Sequence, residues 1–360
     1  MRPVYYLSAF IPIAVALDLA SASAPLVFFT SAIGVIPTAA LMSDATEQLA
    51  ARAGPGIGGL LNVTFGNAPE LIIAFFALLE GLQEVVKASL VGSVLGNSLL
   101  VLGASMLVGG WKRERQRFNR TAAHTQAAML LLAAAALIMP AVFQIIHGGG
   151  LPNVSEIRHH YSADIEKLSL GVAGILILSY LAGLWFSLKT HRDLFNAGHD
   201  EDADTSGNWT TRKSVTLLAI AGVLVGVMSE ILVGSIEAAS HQIGLSQFFV
   251  GVFIVAIVGN AAEHYVAVVV AHKNKMDLAV NIAIGSSAQI ALFVAPVLVL
   301  LSFLFGPSPM SLVFNGYELT ALVAAVLISN FVASEGESTW FEGVQLLALY
   351  AVLGLVFFFA

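Results

Sequence analysis

Two short segments of this chain place a glycine, an asparagine and a carboxylate in the same order. "GNAPE" holds Gly66, Asn67, Pro69 and Glu70, and "GNAAEH" holds Gly259, Asn260, Glu263 and His264. A glycine and asparagine, with a proline in the first copy, interrupt a helical ladder and free backbone carbonyls and amides. The glutamate three residues after the asparagine lies nearly one turn on, on the same helix face. Each segment therefore offers an amide oxygen, backbone oxygens and a carboxylate to one point. Two such segments meeting would surround a shared centre with hard oxygen ligands and two negative charges.

That donor set suits a hard divalent cation. Calcium takes about 6–8 oxygens in irregular geometry, whereas magnesium demands near-ideal octahedra and gives up water reluctantly. When the ion leaves, two like charges repel in a low-dielectric setting. Protons are the natural replacement, so calcium and protons are expected to compete for Glu70 and Glu263. The chain has no cysteine, which removes thiolate metal sites, disulfides and a cysteine nucleophile. No cofactor is expected; calcium and protons would be cargo, and nothing points to nucleic acid as a partner.

The elements that must position these residues are membrane helices. The chain of 360 residues is 58% hydrophobic and 11% charged, with mean hydropathy +0.86, against roughly 25% charged in soluble domains. Apolar runs predict an all-α polytopic membrane protein with about 11 spans, near 3–20, 24–43, 57–80, 85–109, 121–146, 167–189, 213–240, 246–271, 276–305, 316–333 and 338–359. With the N-terminus cytoplasmic, the inner loops hold Arg2, Arg52, Lys112, Arg113, Arg115, Arg117, Arg120, Lys189, Arg192, Arg212, Lys213, Lys273 and Lys275, leaving Lys87, Arg158 and Lys167 outside. That asymmetry is what the positive-inside rule requires. The first span is followed by "LASASAP", which resembles a processing site, but Arg2 alone makes a weak basic lead-in and the segment is read as a helix. No lysine or arginine is expected inside any span to pair with Glu70 or Glu263.

The two motifs lie 193 positions apart (260 − 67 and 263 − 70), and the same offset pairs Gly92-Ser93 with Gly285-Ser286. Upstream, "SDATEQLA" resembles "VGSIEAAS" at the slightly different offset of 190 (237 − 47). The organisation is thus a leading helix (1–20), a five-helix unit (24–189), an acidic cytoplasmic linker (190–212, with "HDEDAD" at 199–204) and a second five-helix unit (213–360). An odd number of helices per unit makes the repeats inverted. Inverted repeats with broken helices at the midplane are the architecture of secondary transporters.

"GNAPELI" and "GNAAEHYVAV", with "GSVLGNSLLVLG" and "GSSAQIALFV" after them, closely resemble the two signature regions of calcium/proton antiporters, the cation/proton exchangers of the calcium/cation antiporter superfamily. The resemblance covers essentially the whole chain. It implies that Glu70 and Glu263 bind calcium and exchange it for protons, that Asn67, Asn260, Asn97 and Gln289 complete or support the site, and that the helices ending near Glu47 and Glu237 gate access. Asn97 and Gln289 depart from strict equivalence, lying 27 and 26 residues after their glutamates (97 − 70 and 289 − 263).

Other readings stand beside these. Asn67 and Asn260 could simply cap half-helices. Ser93, Ser286 and Ser287 could support the site, or could serve only close packing or bond back to helix carbonyls. His264 could be a neutral core residue or a proton relay. Glu230 and Glu237, seven apart on one helix face, are read as lining the ion or proton path; at the 190 offset Glu230 meets Ala40 and so has no counterpart. A sodium/calcium exchanger of the same superfamily would want hydroxyls where Asn67-Ala68 and Asn260-Ala261 stand. A passive cation channel and an intramembrane hydrolase are the readings from other classes. The expected setting is a prokaryotic plasma membrane, and a homo-oligomer is left open.

Overall fold

A computed structural model describes residues 3–154, 161–190 and 209–360. The acidic segment 199–204 and Arg158 lie outside the described residues. Eleven helical segments follow in order: α1 (Pro3–Leu19), α2 (Ala24–Gly66), α3 (Ala68–Leu79), α4 (Gln83–Gly110), α5 (Arg120–Ile146), α6 (Ala163–Thr190), α7 (Thr211–Ile243), α8 (Gln247–His272), α9 (Met276–Ser302), α10 (Gly316–Glu335) and α11 (Trp340–Phe359). Among the described residues nine are long and apolar enough to cross a bilayer; α1 and α3 are shorter.

The main departure from expectation is at the second and third spans. No loop separates them, because helical hydrogen bonding runs from Ala24 to Gly66. Yet a Cβ on Gly58 would fall on the carbonyl of Ala50, a residue that a straight helix would hold about 12 Å away. The chain therefore bends sharply back between Ala50 and Gly58, across the sequence Gly54-Pro55-Gly56. Its returning limb ends at Asn67, where φ −97° and ψ 19° interrupt the helix before α3 begins with Ala68 and Pro69. The returning limb and α3 together form one broken span.

The second motif is built differently. Gly259 and Asn260 lie inside unbroken α-helix, Ala256–His272, so the expected second interruption is absent there. The irregularity sits upstream, as a π-helical stretch from Val250 to Val255. The proline explains the contrast: Pro69 has no N–H to continue the ladder, whereas Ala262 at the equivalent position does. Further π-helical stretches occupy Gly96–Val101 of α4 and Ile290–Val294 of α9. They fall at nearly the repeat offset; Asn97 lies within the first and Gln289 directly precedes the second.

Packing joins the repeats. Gly103 and Gly343 bring the backbones of α4 and α11 together, a Cβ on Gly103 meeting the Gly343 carbonyl at 2.9 Å. Two short strands, β1 (Gln116–Arg117) and β2 (Glu337–Ser338), pair antiparallel, with Arg115 ion-paired to Glu337. Tyr5 donates to Asp44 (2.6 Å), fastening α1 to α2. Lys87, read from sequence as an outer-end charge, is 1% exposed. Its Nζ sits 2.6 Å from Glu84 and donates to the Val313 carbonyl (3.0 Å). Glu318, wholly buried nearby, closes a capping box with Asn315 at the start of α10. The expectation of no basic residue within the bundle is thus corrected: α4 buries one, because acids and a carbonyl compensate it locally. Its hydrogen-bonding and ion-pair partners do not include Glu70 or Glu263.

Candidate cation site

The two motifs meet at the interface of the repeats, and each is completed by the other repeat. Asn67 donates through Nδ2 to Oε1 of Gln289 (2.5 Å) and accepts at Oδ1 from the Ser286 hydroxyl (2.9 Å). Asn260 donates through Nδ2 to Oγ of Ser93 (3.0 Å) and accepts at Oδ1 from Asn97 (3.5 Å). Asn67 and Asn260 are repeat equivalents, as are Ser93 and Ser286. The asparagine of each copy therefore reaches the serine and the second amide of the other copy. Such reciprocity follows from a pseudo-twofold axis, under which one contact implies its mirror partner.

Neither asparagine behaves as a simple cap. Asn67 occupies the N-cap position of α3 but makes no side-chain capping bond. Asn260 lies in mid-helix, where Nδ2 also donates back to the Ala256 carbonyl (2.8 Å). Both asparagines are 0–1% exposed, so their amides need these partners to offset desolvation.

The glutamates repeat the exchange. A Cβ on Gly259 would lie 3.3 Å from Cγ of Glu70, and one on Gly66 would lie 3.7 Å from Oε1 of Glu263. Each carboxylate rests against the other motif's glycine, in ordinary contact distance of a Cβ at Gly66 and in tighter contact at Gly259. In both, Oε2 is buried without a hydrogen-bond partner among the described residues. An orphaned carboxylate oxygen is costly in low-dielectric surroundings, and two of them at one interface form a place that a cation or protons would satisfy. Among the described residues no cluster of three or more His, Asp or Glu side chains could hold a metal, so the charge of a site here comes from this pair, with amides and hydroxyls as neutral donors.

His264 turns its Nε2 to Oδ1 of Asn97 (3.1 Å) and lies over Gly96. It thereby orients the Asn97 amide so that Nδ2 faces Asn260. Pro69 is buried at the start of α3. Glu47, Glu230 and Glu237 stand exposed on α2 and α7, outside the asparagine–serine network. Ser287 bonds back to the Ala283 carbonyl (3.0 Å), as one sequence reading has it, and also reaches across the repeats, its Oγ 3.1 Å from that of Ser98. Ser98 itself escaped the sequence reading. Its one signal was position, directly after Asn97 in an otherwise apolar run.

Across the chain, the family described as sodium/calcium exchanger protein matches residues 23–189 and 213–359. The chain belongs to that family. Both matched stretches carry one motif and the serine that the opposite asparagine bonds. Within the exchanger family, the chain is 45% identical to the Ca(2+)/H(+) antiporter ChaA of Bacillus subtilis (strain 168), over 97% of this chain and 96% of that protein. It is 43% identical to the Ca(2+)/H(+) antiporter of Aphanothece halophytica, over 92% of this chain and 90% of that one. The solved structure of native YfkE superposes with TM-score 0.84 at 42% identity, covering 99% of this chain and all of that chain. The fold is that of an all-α multi-pass membrane exchanger.

Proposed function

We propose that this chain exchanges calcium for protons across a membrane by alternating access, with both cargoes competing for Glu70 and Glu263. The observation that carries the reading is the reciprocal seating of the two carboxylates, each resting by its Oε1 side against the other motif's glycine while its Oε2 is buried without a partner among the described residues. Two carboxylates neutralise one divalent ion. When it departs, protons satisfy the same oxygens. Asn67 and Asn260 supply or orient neutral oxygens, held by Ser286, Gln289, Ser93 and Asn97. The relatives that match nearly end to end carry names stating calcium/proton antiport, which supports the choice of both cargoes and a non-enzymatic role.

The sodium/calcium alternative is less well served by this site. Ala68 and Ala261 follow the asparagines, and the nearby hydroxyls of Ser93 and Ser286 are already engaged with Asn260 and Asn67. A hydrolytic reading gains nothing from His264, whose contact is with an amide oxygen rather than a serine. The charge asymmetry of the loops supports a cytoplasmic N-terminus, and the bacterial relatives support insertion in a prokaryotic plasma membrane. Glu47, Glu230 and Glu237 remain proposed as gating or pathway residues.

Glu70→Gln and Glu263→Gln test the reading. Each keeps size and deletes a charge, and each should abolish calcium-driven proton flux in a folded protein. Calcium transport near the parent rate in either variant would contradict it.

A further inference from the structure

Four glycines at the repeat offset behave unequally. Gly92 on α4 and Gly285 on α9 are equivalent (285 − 92 = 193), as are Gly58 on α2 and Gly251 on α8 (251 − 58 = 193). In the first pairing α4 and α8 cross backbone to backbone. A Cβ on Gly92 would collide with the Val252 carbonyl, and one on Gly251 would lie 2.8 Å from the Ala88 side chain and 3.0 Å from the Val85 carbonyl. In the mirror pairing no such crossing exists. A Cβ on Gly285 would meet only side-chain atoms of Gln126 (3.3 Å) and Asn281 (3.4 Å), while Gly58 is met by Ala50 of its own helix.

The surroundings carry the same asymmetry. Phe253 of α8 packs with Phe249, Tyr350 and Phe357, with ring centroids 5.0, 5.2 and 6.0 Å away. Its repeat equivalent, Leu60 on the returning limb of α2, is 47% exposed. Thr64 is exposed where its equivalent Ile257 is partly buried. Meanwhile the site serines beside the crossing glycines, Ser93 and Ser286, are both bonded to their asparagines. The site is symmetric and its two approaches are not.

We propose that Gly92/Gly251 and Gly285/Gly58 are alternative closure points, and that the transporter closes one crossing as it opens the other. Closure is backbone against backbone because the sealing helix must come within a few ångströms of the serine that holds the opposite asparagine, and only glycine leaves that room. In this structure the Gly92/Gly251 crossing is closed. With the charge-derived orientation it lies on the outer side, so the state is open inward. In the opposite state the returning limb of α2 packs Gly58 against Gly285, and Phe253 loses its aromatic neighbours. The inference rests on the alternating-access reading and adds the residues that seal each side.

The absence of cysteine allows a direct test. Thr64→Cys and Ile257→Cys report the two approaches, read as labelling rates with a membrane-impermeant maleimide applied to either face of sealed vesicles. Gly92→Ala blocks the outer closure: labelling of Ile257→Cys from outside should rise at least fivefold and that of Thr64→Cys from inside should fall. Gly285→Ala fits the present state after a small shift of Gln126, so the resting labelling pattern should be kept while exchange turnover falls at least tenfold. Should Gly92→Ala fail to fold, Gly285→Ala decides alone. Parent-like turnover with Gly285→Ala, or an unchanged labelling pattern in folded Gly92→Ala, overturns the proposal. If the parent reporters themselves do not respond to calcium or pH gradients, alternating access fails first, and with it the premise.

Discussion

Asn67 and Gln289, 222 positions apart in sequence, form a 2.5 Å amide–amide hydrogen bond across the boundary between the two repeats. Through it the broken helix of the first repeat is keyed to α9 of the second. Asn67→Ala and Gln289→Ala should each weaken apparent calcium affinity by roughly 5- to 150-fold, the equivalent of ~1–3 kcal/mol for a buried hydrogen bond. The double variant should lose less than the sum of the singles, because one interaction is being removed twice. Additive losses in a calcium titration would mean that the two amides act independently.

The mirror contact gives the second prediction. Asn260→Ala removes the donor to Ser93 Oγ and the acceptor of Asn97 Nδ2, and its effect on affinity should match that of Asn67→Ala within a few-fold. His264→Ala should reproduce a milder version, since it acts on Asn260 only by orienting Asn97; His264→Gln, which restores a donor, should recover most of it. A full loss of transport with normal calcium binding in both His264 variants would point instead to a proton-transfer role.

Lys87 supplies a stability test away from the site. Removing its charge in Lys87→Met leaves Glu84 and buried Glu318 without compensation, and breaking a buried pair costs ~3–5 kcal/mol. The thermal unfolding midpoint in detergent should drop markedly, and Glu84→Gln added to Lys87→Met should recover part of the loss. An unchanged midpoint would show that the buried charge is solvated by other means.

These tests separate what was legible in the chain from what was not. Glu70, Glu263 and the asparagines stood out because polar groups amid apolar helix are costly unless employed, and the repeat offset tied them together. The inverted two-unit fold followed from odd helix count and basic-residue placement. Less visible was that Asn97 and Gln289, unequally spaced from their glutamates, each reach the other repeat's asparagine; a π-helical stretch contains Asn97 and another starts directly after Gln289, and no composition signal marks a π turn. The burial of Lys87 was also hidden, since it depends on acids from α4 and α10 that converge only in three dimensions. The intact helix at Asn260 was misread because the glycine–asparagine pair was credited with a break that Pro69 alone produces.

Proton competition gives a pH signature. If calcium and protons share the two carboxylates, apparent calcium affinity must fall as pH falls, because each proton bound removes a ligand charge. Glu70→Gln or Glu263→Gln should bind calcium more weakly and with a shallower pH dependence, since one competing carboxylate is gone. Parent-like steepness in both variants, read by calcium binding at a series of pH values, would place the competing groups elsewhere.

The most direct measurement of the central claim is gradient-driven uptake into proteoliposomes that are acid inside and alkaline outside, with membrane voltage clamped. External calcium should accumulate against its own gradient while the lumen alkalinises, and an outward sodium gradient at equal pH should drive neither. Uptake driven by sodium and indifferent to pH would contradict the proton assignment, and uptake that only dissipates calcium's own gradient would contradict exchange altogether.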